Sequence, residues 1–297
     1  MKPNAPHKST RRWMLSVLPG TVWLSLFLAL PFLLILGISF FSRGAYGEIE
    51  RPLTFENYKR IAGFNEFGFE PLYPKALLRT CVVAGVTAMA CAALSLPLAF
   101  FIASRRGPWR AVALTLVVIP IWTNLLIRTY AWQSLLGPGG LVTALLAHSG
   151  ICQLQGGLYP GIIPVYLGLI CDYLPFAVLP LYASVEKIDW TLAEAARDLG
   201  AHGLALFRHS ILPQIRPGLW AGALLVFLPA IGQFVIPDLL GGAKTTLLGN
   251  LLQQQFGASR DWPFGAAITV VFLTLTLLGL FLYFRCVDSE KNESLGL

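Results

Sequence analysis

Six stretches of the chain, at about residues 16–41, 76–103, 111–136, 160–183, 218–240 and 263–284, are too apolar and too long to suit water as their solvent. Crossing the hydrocarbon core of a bilayer takes about 20 mostly apolar residues of helix, and only a helix or a closed barrel satisfies its own backbone there. Runs of this length are read as helices, so the chain is expected to be an all-α, polytopic membrane protein with six transmembrane helices. Charged residues are only 12% of the 297 and hydrophobic ones 56%, whereas a soluble domain carries about 25% charged. The first run follows Lys8, Arg11 and Arg12, a flank shared with secretory signals. Its apolar part is about twice an h-region and has no small-residue cleavage site, which marks a retained helix.

Basic residues resist translocation, so their distribution orients the chain. Thirteen lysines and arginines, including Lys2, Arg105, Arg106, Arg110, Lys187, Arg197 and Arg216, fall on the side of the two termini. Seven fall on the other: Arg43, Arg51, Lys59, Arg60, Lys75, Lys244 and Arg260. Both termini are therefore expected in the cytoplasm, and most of the +7 formal charge reflects topology. No inner segment pairs a basic stripe with stacking aromatics, which argues against nucleic acid as a partner. Trp109, Trp220, Trp262 and Tyr283 fall at span ends, where interfacial aromatics belong. Cys81, Cys91, Cys152, Cys171 and Cys286 form no CxxC pair and are expected to pack; only Cys152 is placed to reach an oxidising compartment.

The outer segment 42–74 is too polar to span and too aromatic for a disordered linker. Within it, Thr54 and Asn57 read as a helix start, with Phe55, Tyr58 and Ile61 on one apolar side, lying on the membrane surface or the outer helix ends. Proline in the spans, at 31, 97, 120, 175, 180 and 229, is compatible either with a transporting bundle or with harmless kinks. Between the fourth and fifth runs lies EAARDLGAHGLALFRHSILP, Glu194 to Pro213. Thr191 and Glu194 read as a capping box, Gly200 as the left-handed C-terminal position, and Leu192, Ala195, Ala196 and Leu199 as one apolar side. A second short helix is expected near Gly203 to Ser210, stopped by Leu212-Pro213. Helices this short are marginal in water, so they must lean on their own membrane helices or on a soluble partner.

EAARDLG followed by ILP, with Pro213 thirteen residues after Gly200, resembles the coupling motif of permease subunits in bacterial binding-protein-dependent ABC importers. Ser210 departs from the isoleucine usual at its position in that motif. LTFENYKRI and IPIWTNLLIRTYAW are similar to the spermidine/putrescine branch of these permeases. The resemblance implies a type I ABC importer permease fold and inner-membrane localisation. It implies a cytoplasmic tail at 1–15, a first helix at 16–41, a periplasmic segment at 42–74, a permease domain at 75–285 with a coupling loop at 184–217, and a cytoplasmic tail at 286–297. It places Glu194, Ala195, Ala196, Asp198, Gly200, Ile211, Leu212 and Pro213 at the coupling contact with a cytoplasmic ABC ATPase dimer. The other implied partners are a second permease subunit, a periplasmic solute-binding protein, membrane lipid and a polyamine cargo. ATP and Mg belong to the partner ATPase, and no cofactor is expected on this chain.

A polyamine needs carboxylates to replace its hydration and aromatic faces for its ammonium groups and methylenes. Asp172 and Asp238, with Trp122, Tyr130 and Tyr173, are the pathway candidates, and Trp132 is a further aromatic. Asp172 could instead form a structural ion pair with Arg128, and Asp238 a cap. GLWAG, Gly218 to Gly222, suits close helix packing, either within the chain or against a second permease. Other cargoes remain open, such as ferric iron, thiamine, an opine or an amino-acid-like compound. An intramembrane enzyme is disfavoured: there is no HExxH or GxSxG, and His7, His148, His202 and His209 are dispersed, so no metal site is expected. GGAKTT lacks the spacing of a phosphate loop, which leaves a structural membrane subunit as the remaining alternative class.

Overall fold

The computed structural model describes residues 7–44, 47–51, 53–65, 68–69, 71–148, 158–242 and 245–294. Cys152, Lys244 and the side chains of Tyr283 and Cys286 lie outside the described residues. Among the described residues, five helices are long and apolar enough to cross a membrane: Val17–Ile38, Leu72–Ser104, Ile162–Val185, Leu204–Gly232 and Trp262–Phe281. A sixth segment, Pro108–Trp122 with Leu125–His148, qualifies only as a pair bent by 93°. The chain divides into two compact units, one made of residues 1–70 and 254–275, the other of 71–253 and 276–297.

The larger unit holds α3 (Leu72–Ser104), α4 (Pro108–Trp122), α5 (Leu125–Leu136), α6 (Leu141–His148), α7 (Ile162–Val185), α8 (Trp190–Asp198), α9 (Leu204–Leu206), α10 (Leu212–Gly232) and most of α11 (Leu248–Phe256). Its core is the triangle of α3, α7 and α10. Lipid tails are as apolar as leucine, so membrane helices associate through close van der Waals fit rather than water exclusion, and small residues permit it. Ala84, Ala88 and Ala99 of α3 and Ala177 of α7 are buried. A Cβ on Gly218 of α10 would stand 2.2 Å from the Ser184 hydroxyl, and one on Gly222 2.9 Å from the Ala177 carbonyl. The GLWAG stripe is thus used inside the chain, where it sets the α7–α10 approach.

Two of the expected spans need correction. The third run is not one helix: Thr123 is extended at ψ 144°, and Asn124 opens α5 by accepting the Leu126 amide at 2.8 Å. Pro120 and an asparagine cap one turn apart outweigh the apolar pattern there. The fifth run, read as 218–240, ends its helix at Gly232. Gln233 turns extended and its side-chain carbonyl takes the amides of Phe234 and Val235 at 3.1 and 3.2 Å, after which Pro237–Gly241 forms a π-helical turn.

The smaller unit contains α1 (His7–Ile38), hairpin β1 (Ser42–Arg43) with β2 (Ile49–Glu50), α2 (Glu56–Ile61), hairpin β3 (Phe64–Asn65) with β4 (Gly68–Phe69), and the start of α12 (Trp262–Ser294). The two hairpins are absent from the sequence expectation. The α2 helix seals the end of α1: Asn57 donates to the carbonyls of Ser39 and Phe41 at 2.9 and 2.8 Å, and the Ser39 and Tyr58 hydroxyls share a 2.7 Å hydrogen bond. Phe55 is its N-cap and makes no side-chain cap bond; the Thr54 hydroxyl just before it accepts the Glu56 amide at 3.1 Å, at the helix start expected there. Arg60 pairs with the buried Asp261 at 2.9 Å and lies 3.9 Å over the Phe264 ring, while Asp261 also caps α12 through the Phe264 amide.

Candidate functional site: the coupling end and the broken span

One end of the larger unit is assembled from the close of α3, the start of α4, the close of α7 and the start of α10. Ala99, Ile102, Val178, Leu181, Val185, Ile188 and Ile215 form its apolar floor. Arg110 reaches across this floor to Glu186 and to the Tyr182 hydroxyl, tying α4 to the end of α7. The hydrogen bond from Arg110, and then that from Tyr182, hold the Glu186 carboxyl below its ordinary value.

The helix pair expected at 191–210 projects from this floor, with changed boundaries. Asp189, not Thr191, caps α8: its carboxylate accepts the Thr191 amide at 3.0 Å and the Thr191 hydroxyl at 2.7 Å. Those two bonds lower the Asp189 pKa, the hydroxyl foremost. The expected capping box lies two residues too late, because Asp189 stands at the N-cap and leaves Thr191 inside the helix. At the other end the Gly200 amide donates to Arg197 and the Ala201 amide to Ala196, both at 2.9 Å, with Gly200 at φ +86°. This is a Schellman closure, and an L-residue with a side chain resists that backbone.

Pro213 does not stop the second helix. From Leu204 the chain runs through α9 and a π-helical turn, Phe207–Ile211, directly into α10. The widened turn accommodates Pro213 at the start of α10, where it has no amide to place in the ladder. Carbonyls loosened by the turn find side chains instead: His209 Nδ1 lies 2.9 Å from Ala205 O, and Gln214 Nε2 donates to Ser210 O at 2.9 Å. Gln214 also accepts the Asp189 amide at 2.9 Å, bracing the start of α8 against α10. The Ser210 hydroxyl is buried and has no partner among the described residues.

The apolar side expected on this pair is not turned onto the chain itself. Ala193 and Leu206 are buried, whereas Trp190, Leu192, Leu199 and Leu204 are exposed at 51, 55, 90 and 79%. Glu194, Ala195 and Asp198 are exposed beside them, Ala196 and Ile211 are half-buried, Leu212 is half-buried and Pro213 exposed. Four large apolar side chains standing off the end of a bundle form a surface suited to a protein groove.

The broken third span carries the ionisable pair. Arg128 of α5 forms an ion pair with Asp172 of α7 and donates to the carbonyl of Pro120, and to the Thr123 hydroxyl at 3.3 Å. One guanidinium therefore neutralises the intramembrane carboxylate and also satisfies the end of α4, where a cation is favoured by the helix dipole. Of the two readings open for Asp172, the ion pair is the geometry found. Tyr173 is also committed: its hydroxyl accepts from Gln233 Nε2 at 3.1 Å and lies 3.4 Å from Pro229 O, between α7 and α10. Trp122, Tyr130 and Asp238 are exposed on the single chain and are not brought together with Asp172 by any of these bonds. Asp189, Gln214, Arg110 and Gln233 escaped the sequence reading. Only Asp189, an acid directly before a helical run, left a local signal there.

The model of the family "Binding-protein-dependent transport system inner membrane component" matches residues 95–288. The chain is 40% identical over 263 residues to the spermidine/putrescine transport system permease protein PotB of Haemophilus influenzae, covering 89% of this chain and 90% of that protein. The Escherichia coli PotB is likewise 40% identical over 263 residues, covering 89% and 93%. The fold is similar to that of a bacterial alginate ABC transporter crystallised with its alginate pentasaccharide-bound periplasmic protein, at a TM-score of 0.66 and 16% identity, over 92% of this chain and 93% of that one. With the type I permease architecture and the motif-bearing helix pair both in place, the chain belongs to the family of multi-pass inner-membrane components of binding-protein-dependent transport systems.

Proposed function

We propose that this chain is the permease subunit of an ATP-driven polyamine importer of the spermidine/putrescine kind, and that it forms the pathway with a second permease. The cargo rests on 40% identity across 89% of the chain to spermidine/putrescine permeases. The observation that carries the mechanism is the exposed apolar edge of Trp190, Leu192, Leu199 and Leu204, held rigid by the Asp189 cap and the Gly200 closure. Docked in a groove of a cytoplasmic ATPase dimer, this edge would receive the nucleotide-driven stroke. Arg110 and Gln214 would pass it to α4, α7 and α10 through the contacts already described. Glu194, Ala195, Ala196, Asp198, Gly200, Ile211, Leu212 and Pro213 belong to this joint. ATP and Mg act on the partner, and a periplasmic binding protein delivers cargo.

In this reading the domain plan is a permease core at 75–285 with its coupling loop at 184–217, both termini in the cytoplasm. Asp238, Trp122 and Tyr130 are the exposed groups available to an ammonium chain, since Asp172 and Tyr173 are occupied. The test is uptake of labelled spermidine in cells whose only polyamine permease is this one. Gly200→Val should abolish uptake and co-purification of the ATPase while the membrane level of the protein is unchanged. Unimpaired uptake would refute the coupling role, and uptake unaffected by excess putrescine and spermidine would refute the cargo.

A further inference from the structure

Where α3 turns into α4, the chain leaves an open groove of ≈ 640 Å³. Its walls are Phe101, Val112 and Leu116, and its mouth carries Arg105, Arg106 and Trp109. Phe101 and Leu116 also line a second hollow of ≈ 330 Å³ that continues along α3, α4 and α7 as far as Pro120 and Cys171. The two together form an apolar slot running away from a basic mouth. Its walls stay uncovered: Phe101, Leu116 and Trp109 are 50, 63 and 71% exposed. The Arg105 guanidinium sits 4.3 Å over the Phe101 ring, folded back over the slot. Among the described residues neither Arg105 nor Arg106 forms an ion pair with a carboxylate, whereas nearby Arg110 is neutralised by Glu186.

Positive charge at a cytoplasmic span end needs no groove to serve topology. Here two uncompensated arginines and an indole stand at the head of a slot that only hydrocarbon would fill, and basic pockets between membrane helices select anionic headgroups. We propose that the α3–α4 groove is a binding site for an anionic diacyl phospholipid. Its phosphate engages Arg105 and Arg106, and one acyl chain lies along Phe101 and Leu116. In the orientation proposed above this is a lipid of the cytoplasmic leaflet. The site stands or falls independently of the transported cargo.

The test is native mass spectrometry of the detergent-purified transporter, offered phosphatidylglycerol or phosphatidylcholine with the same acyl chains. The wild type should retain phosphatidylglycerol in preference. Arg105→Gln with Arg106→Gln should weaken that retention by roughly 30-fold, the compounded effect of two arginines near an anionic headgroup, and leave phosphatidylcholine unchanged. Leu116→Trp, which fills the slot and keeps both arginines, should also release phosphatidylglycerol, and thermal unfolding checks that each variant is folded. Equal retention of the two lipids by the wild type overturns the proposal, as does undiminished phosphatidylglycerol in the double variant. Retention surviving in Leu116→Trp would mean surface charge alone, and displacement by inorganic phosphate a free-anion site. Loss of a partner subunit with phosphatidylglycerol still held would make the face a protein contact.

Discussion

Arg128 shows how one side chain makes a broken membrane helix tolerable. Its guanidinium closes the free end of α4 at Pro120 and Thr123 and cancels the charge of Asp172 on α7. An arginine suits this better than a lysine, because its planar fork serves several acceptors at once without losing charge. Removing it leaves both a carboxylate and a backbone carbonyl uncompensated in a region with little water. Arg128→Gln is therefore expected to destabilise the protein by about 3–5 kcal/mol, read as a fall in the unfolding midpoint in detergent. Arg128→Gln combined with Asp172→Asn should recover most of that loss. Strict additivity of the two single effects would show that the groups are not coupled.

At the scale of elements, neither α8, of 9 residues, nor α9, of 3, is stable as an isolated helix. Local closures replace length: an aspartate at one end of α8, a left-handed glycine at the other, and a π-turn that fuses α9 to a membrane span. The cap has a pH signature. Its folded-state pKa is depressed by the Thr191 hydroxyl and amide, so its stabilisation is complete above the unfolded carboxylate value and is lost as pH falls through the lower folded value. Hydrogen-exchange protection of the Thr191 amide should hold from neutral pH through the ordinary aspartate range and drop only in stronger acid. Asp189→Asn should keep the protection and lose the pH dependence, and Asp189→Ala should lose protection at neutral pH. An Asp189→Asn variant with the wild-type pH profile would exclude this cap as the cause.

For the whole molecule, the larger unit puts residues 105–110, 186–189 and 210–216 at one end and carries α4, through α5, towards the loop at 137–140. With the basic excess on the first of these ends, an impermeant thiol reagent should label Leu199→Cys only after the inner membrane is opened. It should label Pro138→Cys in cells permeabilised at the outer membrane alone; the reverse pattern would invert the topology and remove the coupling role with it. The apolar stretches that become membrane-length helices and the left-handed close of α8 at Gly200 were legible in residue order, because apolar length and a glycine that needs a positive φ act locally. Asp189 carries the same kind of local signal, an acceptor side chain directly before a helical run. The break at Thr123 is marked locally by Pro120 and Asn124. The α3–α7–α10 triangle, the turning of Gly218 and Gly222 against α7 rather than a second permease, and the choice between the two readings of Asp172 were decided by tertiary structure alone. Each depends on what a distant helix presents at contact distance: a hydroxyl, a carbonyl or a carboxylate brought within about 3 Å by packing, for which a linear pattern of apolar residues holds no coordinate.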